Sequence, residues 1–569
     1  MAQLQPARAP METKLQRYKK RAAALKQDRE NWEPHWREIQ TFISPRSGRF
    51  CLAETNRGGK KHQRIINSAP TQASKALAAG LSSGLTNPAK PWFRLLTADP
   101  GLMEVAAVKQ WLWIVESRMR DTLARSNLYN ALPTAYRELG DYGTAPIWCE
   151  PDDRDVIRFY PLTVGSYWLA TDHRREVDTL YRELQMTVRQ VVEKFGPEQC
   201  SDRVREAYNM CRYEQTVQVA HMVCPNADRE PGKMDGKNKA WSSCYWEIGC
   251  NEDKFLRESG FDSKRFMAPR WDVLGEDIYG SSPGMDALGD AKMLQVREKQ
   301  FALAVDKHID PPLTAHPSLQ NRGVGRLPGQ VTFVSADEGR VGAAPIYQVQ
   351  PDYQGALMDK QDIIQRVRDT YYASLFLLIS GQADDPRKTA YEVGKIDQER
   401  LLMLGPVLQR LNNELLDPTI EMTFQVMLEA GLIPPPPPEL QGQALNIQYI
   451  SILAQAQKFL MTGSIGQFLQ FVGGIAAMDA SVVDKVDFDQ TVDEFANDIG
   501  VPPAIVRSDD QVAQLREAKQ QAQQAQQMAA MAPAIAQYAK AAKDAGGAVA
   551  SPGSLLGAAG AAVNAGAGG

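Results

Sequence analysis

The stretch from Gly284 to Ile379 constrains the fold most, because two segments with helical spacing enclose one that cannot be helical. The first, GMDALGDAKMLQVREKQFALAVDK (284–307), sets Met285, Leu288, Met293, Leu294, Val296, Phe301, Leu303 and Val305 among charged residues. The second, GALMDKQDIIQRVRDTYYASLFLLI (355–379), carries Leu357, Ile363, Ile364, Val367, Tyr371, Leu375 and Leu378. Both patterns fit a period of 3.6 better than strict alternation. At 1.5 Å per residue each predicts a rod roughly 36 Å long. The 47 residues between them, 308–354, have repeated Pro and Gly and suit turns and short strands. The simplest geometry is a pair of neighbouring rods carrying a small module at one end. Leu294, Phe301, Ile364 and Leu375 are the apolar positions expected to pack the rods. An ordinary helical hairpin inside a large enzyme is the alternative that this stretch leaves open.

The rest of the chain bounds that choice. At 569 residues it is long enough for several domains and a substantial core. With 43% hydrophobic and 23% charged residues it reads as globular, and a formal net charge of -4 gives no case for a protein that coats or condenses nucleic acid. Seven cysteines at no dense spacing, an odd count, disfavour a fully paired secreted scaffold and favour reduced thiols. The start, MAQLQPARAPMETK, lacks the apolar core of a signal peptide, and SLFLLI (374–379) is far too short to span a membrane. A soluble intracellular protein is the expectation.

In chain order, residues 11–45 predict a charged helix with an apolar stripe of Leu15, Tyr18, Ala22 and Leu25, then a new start at Pro34 with Trp32 and Trp36 on one face. SGRFCLAETNRGGKKHQRI (47–65) reads as a flexible, locally basic loop. Small residues over 67–86 predict a close-packed helix, and 98–148 predicts further helices separated near Asn130 and Gly140. Short strands are expected near Ile157–Tyr160 and Thr163–Leu169, and an amphipathic helix over 176–196. Residues 212–223 and 239–249 predict paired strands, with another over 265–274. Beyond the rods, a helical segment runs through Leu416 with a kink at Pro406, a further helix covers 418–431, and IPPPPPEL (433–440) makes a stiff spacer. Residues 445–478 are expected to be helical. The Ala/Gln-rich segment from 511 favours helix, whereas the Gly/Ala-rich tail from Ser551 offers little burial to offset ordering.

Catalytic signatures are missing. NRGGKKHQ (56–63) lacks the spacing of a phosphate-binding loop, GMDALG (284–289) does not match GxGxxG, and no HExxH occurs. His221 with Cys224, Cys244 and Cys250 would make an untypically spaced zinc site, and thiols buried in a sheet are the commoner arrangement. Neither Asp152–Asp153 nor Asp384–Asp385 defines a pocket by adjacency alone. No catalytic, cofactor-binding or metal residue is assigned, and no enzyme activity is expected.

Several phrases converge on one family. NWEPHWREIQTFISPRSGRF (31–50), GLTNPAKPWFRL (84–95), SSPGMDALGDAKML (281–294), VDKHIDPPL (305–313) and LIPPPPPELQGQALNIQYISILAQAQK (432–458) resemble the head-to-tail connecting, or portal, proteins of short-tailed bacteriophages, over roughly residues 11–505. The resemblance implies an α+β, mainly helical subunit that assembles with copies of itself, typically twelve, into a ring at one vertex of the capsid. It implies a flexible start over 1–10, an N-terminal wing over 11–283, stem helices over 284–307 and 355–379 and a clip over 308–354. A tunnel loop and C-terminal wing would occupy 380–505, a crown-like region 506–550 and a mobile tail 551–569. The implied function is a channel for double-stranded DNA during packaging and ejection, bound without sequence specificity. The implied partners are the terminase large subunit, capsid and scaffolding proteins, tail adaptor or nozzle proteins and internal ejection proteins, in the virion and, during assembly, the host cytoplasm. Arg387 and Lys388, in the loop that corresponds to the tunnel loop, are the candidate DNA contacts. A DNA-processing enzyme with an undetected site, or a capsid or tail scaffold without a channel, is the competing reading.

Overall fold

The computed structural model describes residues 12–50, 64–310 apart from 231, 234 and 251, 352–379, 403–440 and 445–450, with the strand pieces 313–315 and 343–345, the helix 512–524 and a few isolated positions. The chain divides into two compact units, Met1–Lys485 and Val486–Gly569. In the second, residues 512–524 are helical and exposed along almost their whole length, as the scarcity of apolar anchors there predicts.

The first unit is mixed helix and strand. Helix α1 (Lys14–Arg29) begins at a capping box between Thr13 and Gln16, and α2 (Glu33–Phe42) starts with Pro34 in its first turn. Helix α3 (Ala69–Leu85) is rich in small residues and lies deep in the core, where Gly80 leaves no room for a β-carbon beneath the Phe376 ring. Strand β1 (Phe93–Thr97) leads to α4 (Ala106–Arg125) and α5 (Leu128–Tyr142). Gly143 ends α5 in a left-handed conformation (φ 79°) against the Gly280 backbone. This break lies at Gly143, and the break between α4 and α5 lies at Ser126–Asn127, each a few residues from where the sequence suggests it.

Strands β2 (Ile147–Asp152), β3 (Val156–Pro161), β4 (Tyr167–Thr171) and β5 (Val177–Thr187) follow, then α6 (Val188–Phe195), α7 (Asp202–Asn209), β6 (Thr216–Pro225), β7 (Trp241–Glu247), β8 (Arg257–Phe261) and β9 (Phe266–Met267). They form a three-stranded sheet, β3-β2-β9, and a five-stranded antiparallel sheet, β4-β5-β6-β7-β8. The expected pairing of 212–223 with 239–249 is β6 with β7, in the register His221↔Tyr245. The expected helix over 176–196 is a correction. Its first half is β5, paired on both edges, and only its second half is helical. Leu180 packs into the main core and Tyr181 against α1 on the opposite face, so burial on two sides mimics helical spacing. Thr187, in a capping box with Gln190, starts the helix only there.

Helices α8 (Pro283–Asp286) and α9 (Leu288–Ile309) carry the first rod. Beyond it β10 (Leu313–Ala315) pairs antiparallel with β11 (Ala343–Pro345). The second rod is not continuous: α10 (Tyr353–Thr370) and α11 (Ala373–Ile379) are separated at Tyr371–Tyr372. Residues 403–429 then form one helix that continues past Pro406, as expected, and opens into a π-turn over Asn412–Leu416; its last part is α12 (Asp417–Glu429). Leu445–Tyr449, expected to be helical, is strand β12 and pairs with β1 from Phe93↔Tyr449 to Thr97↔Leu445. The core joins α2, α3, α4, α5 and the small sheet, with Trp36, Tyr136, Tyr142, Trp148, Phe159 and Tyr167 almost fully buried.

Candidate functional site: a helical hairpin and its root

Helices α9 and α10 run antiparallel, as three ion pairs across them show. Asp290 meets Arg366 at 3.3 Å, Arg297 meets Asp359 at 3.1 Å and Glu298 meets Lys360 at 3.4 Å. Near the core the seam is apolar: Leu294 and Ile363 are fully buried with Ala69 of α3, and Met293 and Ile364 pack beside them. Further out Phe301 is only half-buried, edge-on to Tyr353 with ring centroids 5.9 Å apart and with Lys360 over its face. Of the residues expected to pack the rods, Leu294 is in the seam, Phe301 is at its outer part, and Ile364 stands beside Ile363, which takes the fully buried place. Leu375 is fully buried, but on α11 in the main core. The outer faces keep Val296, Leu303, Ile309, Leu357 and Met358 exposed.

Gln295 locks α9 to the chain before α3. Its Oε1 accepts from the Ile66 and Asn67 N–H groups at 2.7 and 2.8 Å, and its Nε2 donates to the Asn67 carbonyl at 2.9 Å. Lys292 reaches Glu38 of α2 at 2.7 Å.

The root of the hairpin converges on Asp141 of α5. Its carboxylate accepts from the Ser44 hydroxyl and, at 3.1 Å, from the Tyr371 hydroxyl, and Arg137 stands 3.8 Å away. Its carbonyl accepts from Ser282 Oγ at 2.8 Å, and Gly284 packs directly on its backbone. The entrance and the exit of the hairpin are thus tied to one buried residue. Burial raises the Asp141 carboxyl above its ordinary range, against the pull of its hydroxyl donors and Arg137. One turn earlier, Glu138 is fully buried and pushed up to about 7 by burial, although the Val164 N–H donates to it at 3.0 Å. The Tyr371 phenol is held well above its usual value by burial and by Asp141.

Immediately after Tyr371 the backbone turns. Tyr372 has φ 54°, a left-handed conformation that costs a residue with a β-carbon about 1–3 kcal/mol. Asp369 bridges the break, accepting from Ser374 Oγ at 2.9 Å and from Gln365 Nε2 at 3.1 Å. The π-turn of the 403–429 helix is pinned in a similar way, with Glu414 accepting from the Arg270 N–H at 2.8 Å and Arg410 meeting Asp272 at 3.0 Å.

The sequence pattern of the bacteriophage head to tail connecting protein family matches residues 15–506. The chain belongs to that family. The "Probable portal protein" of Bordetella phage BPP-1 is 43% identical over 495 residues, which cover 87% of this chain and 89% of that protein. The "Portal protein" of Salmonella phage epsilon15 is 42% identical over 510 residues, 89% of this chain and 91% of the relative. The resemblance expected over roughly 11–505 is therefore the family's own span. The hairpin, its root at Asp141 and the three- and five-stranded sheets of this family member lie inside it.

The remaining candidates fall apart geometrically or lie elsewhere. His221 and Cys224 point to opposite faces of β6. His221 accepts from Arg182 Nε at 2.9 Å, lies within 2.9 Å of Ser243 Oγ and stacks on Tyr245 at 3.7 Å, while Cys224 packs toward α1 and Cys244 lies 3.4 Å from Ser242 Oγ. Asp152 accepts from the Asp155 N–H, and Asp153 is exposed in the same turn. Among the described residues no group of three or more His, Cys, Asp or Glu could hold a metal, and no helix is long and apolar enough to cross a membrane. Arg387 and Lys388, with Asp384 and Asp385, lie outside the described residues. Sequence reasoning missed Asp141, Gln295, Ser282 and Glu414. The one available signal was two carboxylates, Glu138 and Asp141, one turn apart in the second half of α5.

Proposed function

We propose that copies of this chain close into a ring, of the twelve subunits that the family resemblance implies, through which double-stranded DNA enters and leaves the phage head. The observation that carries the reading is the hairpin: its two ends are fastened to one buried residue, and its outer faces keep Val296, Leu303, Leu357 and Met358 in solvent. Neighbouring copies would cover those residues by repeating one heterologous contact around a closed ring. In this reading residues 284–307 and 355–379 are the stem, 308–354 the clip, 11–283 the N-terminal wing and 380–505 the tunnel loop and C-terminal wing. The ring sits in the virion between capsid and tail. It takes the terminase large subunit, capsid and scaffolding proteins, tail adaptor or nozzle proteins and internal ejection proteins as partners, and it needs no catalytic group of its own. Arg387 and Lys388, repeated around the ring, supply positive charge that acts on phosphates irrespective of base sequence.

Negative-stain microscopy of the purified full-length chain tests the assembly. Closed rings with a central opening are expected; only monomers and dimers in concentrated protein, with no assembly on capsid components, would refute it. DNA content per particle, at equal occupancy of this protein, tests the loop. Arg387→Ala/Lys388→Ala is expected to alter DNA content or retention without loss of rings, and equal content and release would remove these residues from the account.

A further inference from the structure

We propose that the break at Tyr371–Tyr372 is a sprung joint, held bent by the Tyr371–Asp141 hydrogen bond, and that α10 and α11 join into one continuous helix when that bond is released. The joint has no glycine, the residue that ordinarily ends a helix in a left-handed conformation. Tyr372 takes that conformation with a full aromatic side chain. Helix reaches the joint from both sides: Tyr371 N–H closes α10 on the Val367 carbonyl at 3.1 Å, and Phe376 N–H opens α11 on that of Tyr372 at 3.3 Å. Between them the Tyr372 N–H donates to Asp369 at 3.0 Å, one residue short of the helical partner. The bend therefore falls at Tyr371–Tyr372, with helix on both sides.

What holds it lies on the two flanks. On the α10 side Tyr371 is fully buried with its hydroxyl on Asp141. On the α11 side Ala373, Leu375 and Phe376 are buried, and Phe376 lies on the bare backbone of Gly80. Tyr372 itself is half-buried beside Trp271, ring centroids 6.1 Å apart. The Phe376 contact fixes α11 to α3; α10 also packs on α3, through Ile363 beside Ala69, so freeing Tyr371 lets α10 turn about that contact. Because Asp141 also holds Ser282 and Gly284 at the start of the hairpin, one residue of α5 controls both ends of the moving part. Tyr353 lies 18 residues before the joint, roughly 27 Å away along a helix, so a small change of angle there becomes a large displacement at the far end of the hairpin.

The test compares glycine with alanine at position 372, because the two respond oppositely to the state of the joint. Both remove the ring, but glycine favours the left-handed conformation and alanine the helical one. Hydrogen-exchange protection over 366–379 is measured on assembled full-length protein. Tyr372→Gly is expected to be about fivefold better protected than Tyr372→Ala in the native background. With Tyr371→Phe added, which removes only the latch hydroxyl, the order is expected to invert. Asp141→Asn provides a second background if Tyr371→Phe does not fold. Alanine equal to or better than glycine in the native background would overturn the sprung joint, and the same order in native and latch-deficient backgrounds would overturn the latch.

Discussion

Helix α3 buries ten of its 17 residues, whereas α9 buries four of its 22 and α10 two of its 18. The first is a beam inside the core; the other two are a projection from it. In α3 the small residues let neighbouring helices approach until Gly80 touches the Phe376 ring, so its stability is tertiary packing. In the hairpin the fully buried packing ends within a few turns at Leu294 and Ile363, and ion pairs with the half-buried Phe301 ring hold the remainder. Such pairs are worth about 0–1 kcal/mol each, too little to order two long helices that carry exposed leucine and methionine. The contrast teaches that the core is packed within one chain, and that the hairpin is the part which the proposed ring would complete.

The largest effect should come from the core. Phe159 is fully buried, and Phe159→Ala is expected to cost about 3–5 kcal/mol. Denaturant unfolding of the soluble chain should show it whether or not rings are present. A loss below about 1 kcal/mol would mean that the core is not self-sufficient, and the comparison with the hairpin would collapse.

A second prediction concerns pH. Glu138 has a folded-state pKa raised to about 7 by burial, and burial raises Asp141 as well. A carboxyl with a raised folded pKa contributes stability that is fully present below its unfolded pKa and is lost as pH rises through the folded value. Core stability should therefore fall as pH rises from about 4.5 to beyond 7, by up to about 3 kcal/mol from Glu138. Glu138→Gln, which stays neutral, should flatten that slope in denaturant titrations at pH 5 and pH 8. A wild type equally stable at both values would show that Glu138 ionises without penalty and that this part of the core admits water.

How far the sequence carries such arguments differs between the same two regions. The rods were legible because apolar residues recur at helical spacing among charged ones over about six turns. Strand β5 was not, because Leu180 and Tyr181 are buried on opposite faces and two-sided burial erases the alternation that identifies a strand. Leu445–Tyr449 was misread for a related reason: its partner is β1, more than 300 residues earlier, and nothing local announces it. The root at Asp141 depends on Ser44, Ser282 and Tyr371, separated from it by 97, 141 and 230 residues. Only the fold brings them together. The two acidic residues inside α5 could mark a buried polar site, but not its partners.

A third prediction sharpens the hairpin side. Leu303 and Met358 are exposed in the single chain, so Leu303→Asp and Met358→Asp should change its unfolding free energy by no more than about 0.5 kcal/mol. Ring yield, read by sedimentation, should nevertheless drop. Ile363→Ala should cost about 2–5 kcal/mol as a buried truncation, and Ile364→Ala less because it is half-buried. Equal ring yield for both aspartate variants would place the contact between copies elsewhere and leave the apolar residues of the hairpin unexplained.

The smallest effect expected lies in the cross-helix ion pairs, and it bears on what holds the outer hairpin. Arg297 and Asp359 are each about half exposed, at 50% and 48%, and stand 3.1 Å apart. Solvent screens such a pair, so a double-mutant cycle with Arg297→Ala and Asp359→Ala should give a coupling of about 0.2–1 kcal/mol in the dissociated chain at low salt. At 1 M salt, where the screening length is about 3 Å, most of it should vanish. In the assembled state the same pair would be shielded by any neighbour that covers Val296 or Leu357. Its coupling should then grow and lose much of its salt dependence, because the charges no longer face bulk water. The cycle therefore reports covering of the hairpin without assuming which residues cover it. If coupling and salt response are the same in monomer and assembly, the outer hairpin stays in water in both states, and its exposed apolar residues are not completed by other copies of the chain.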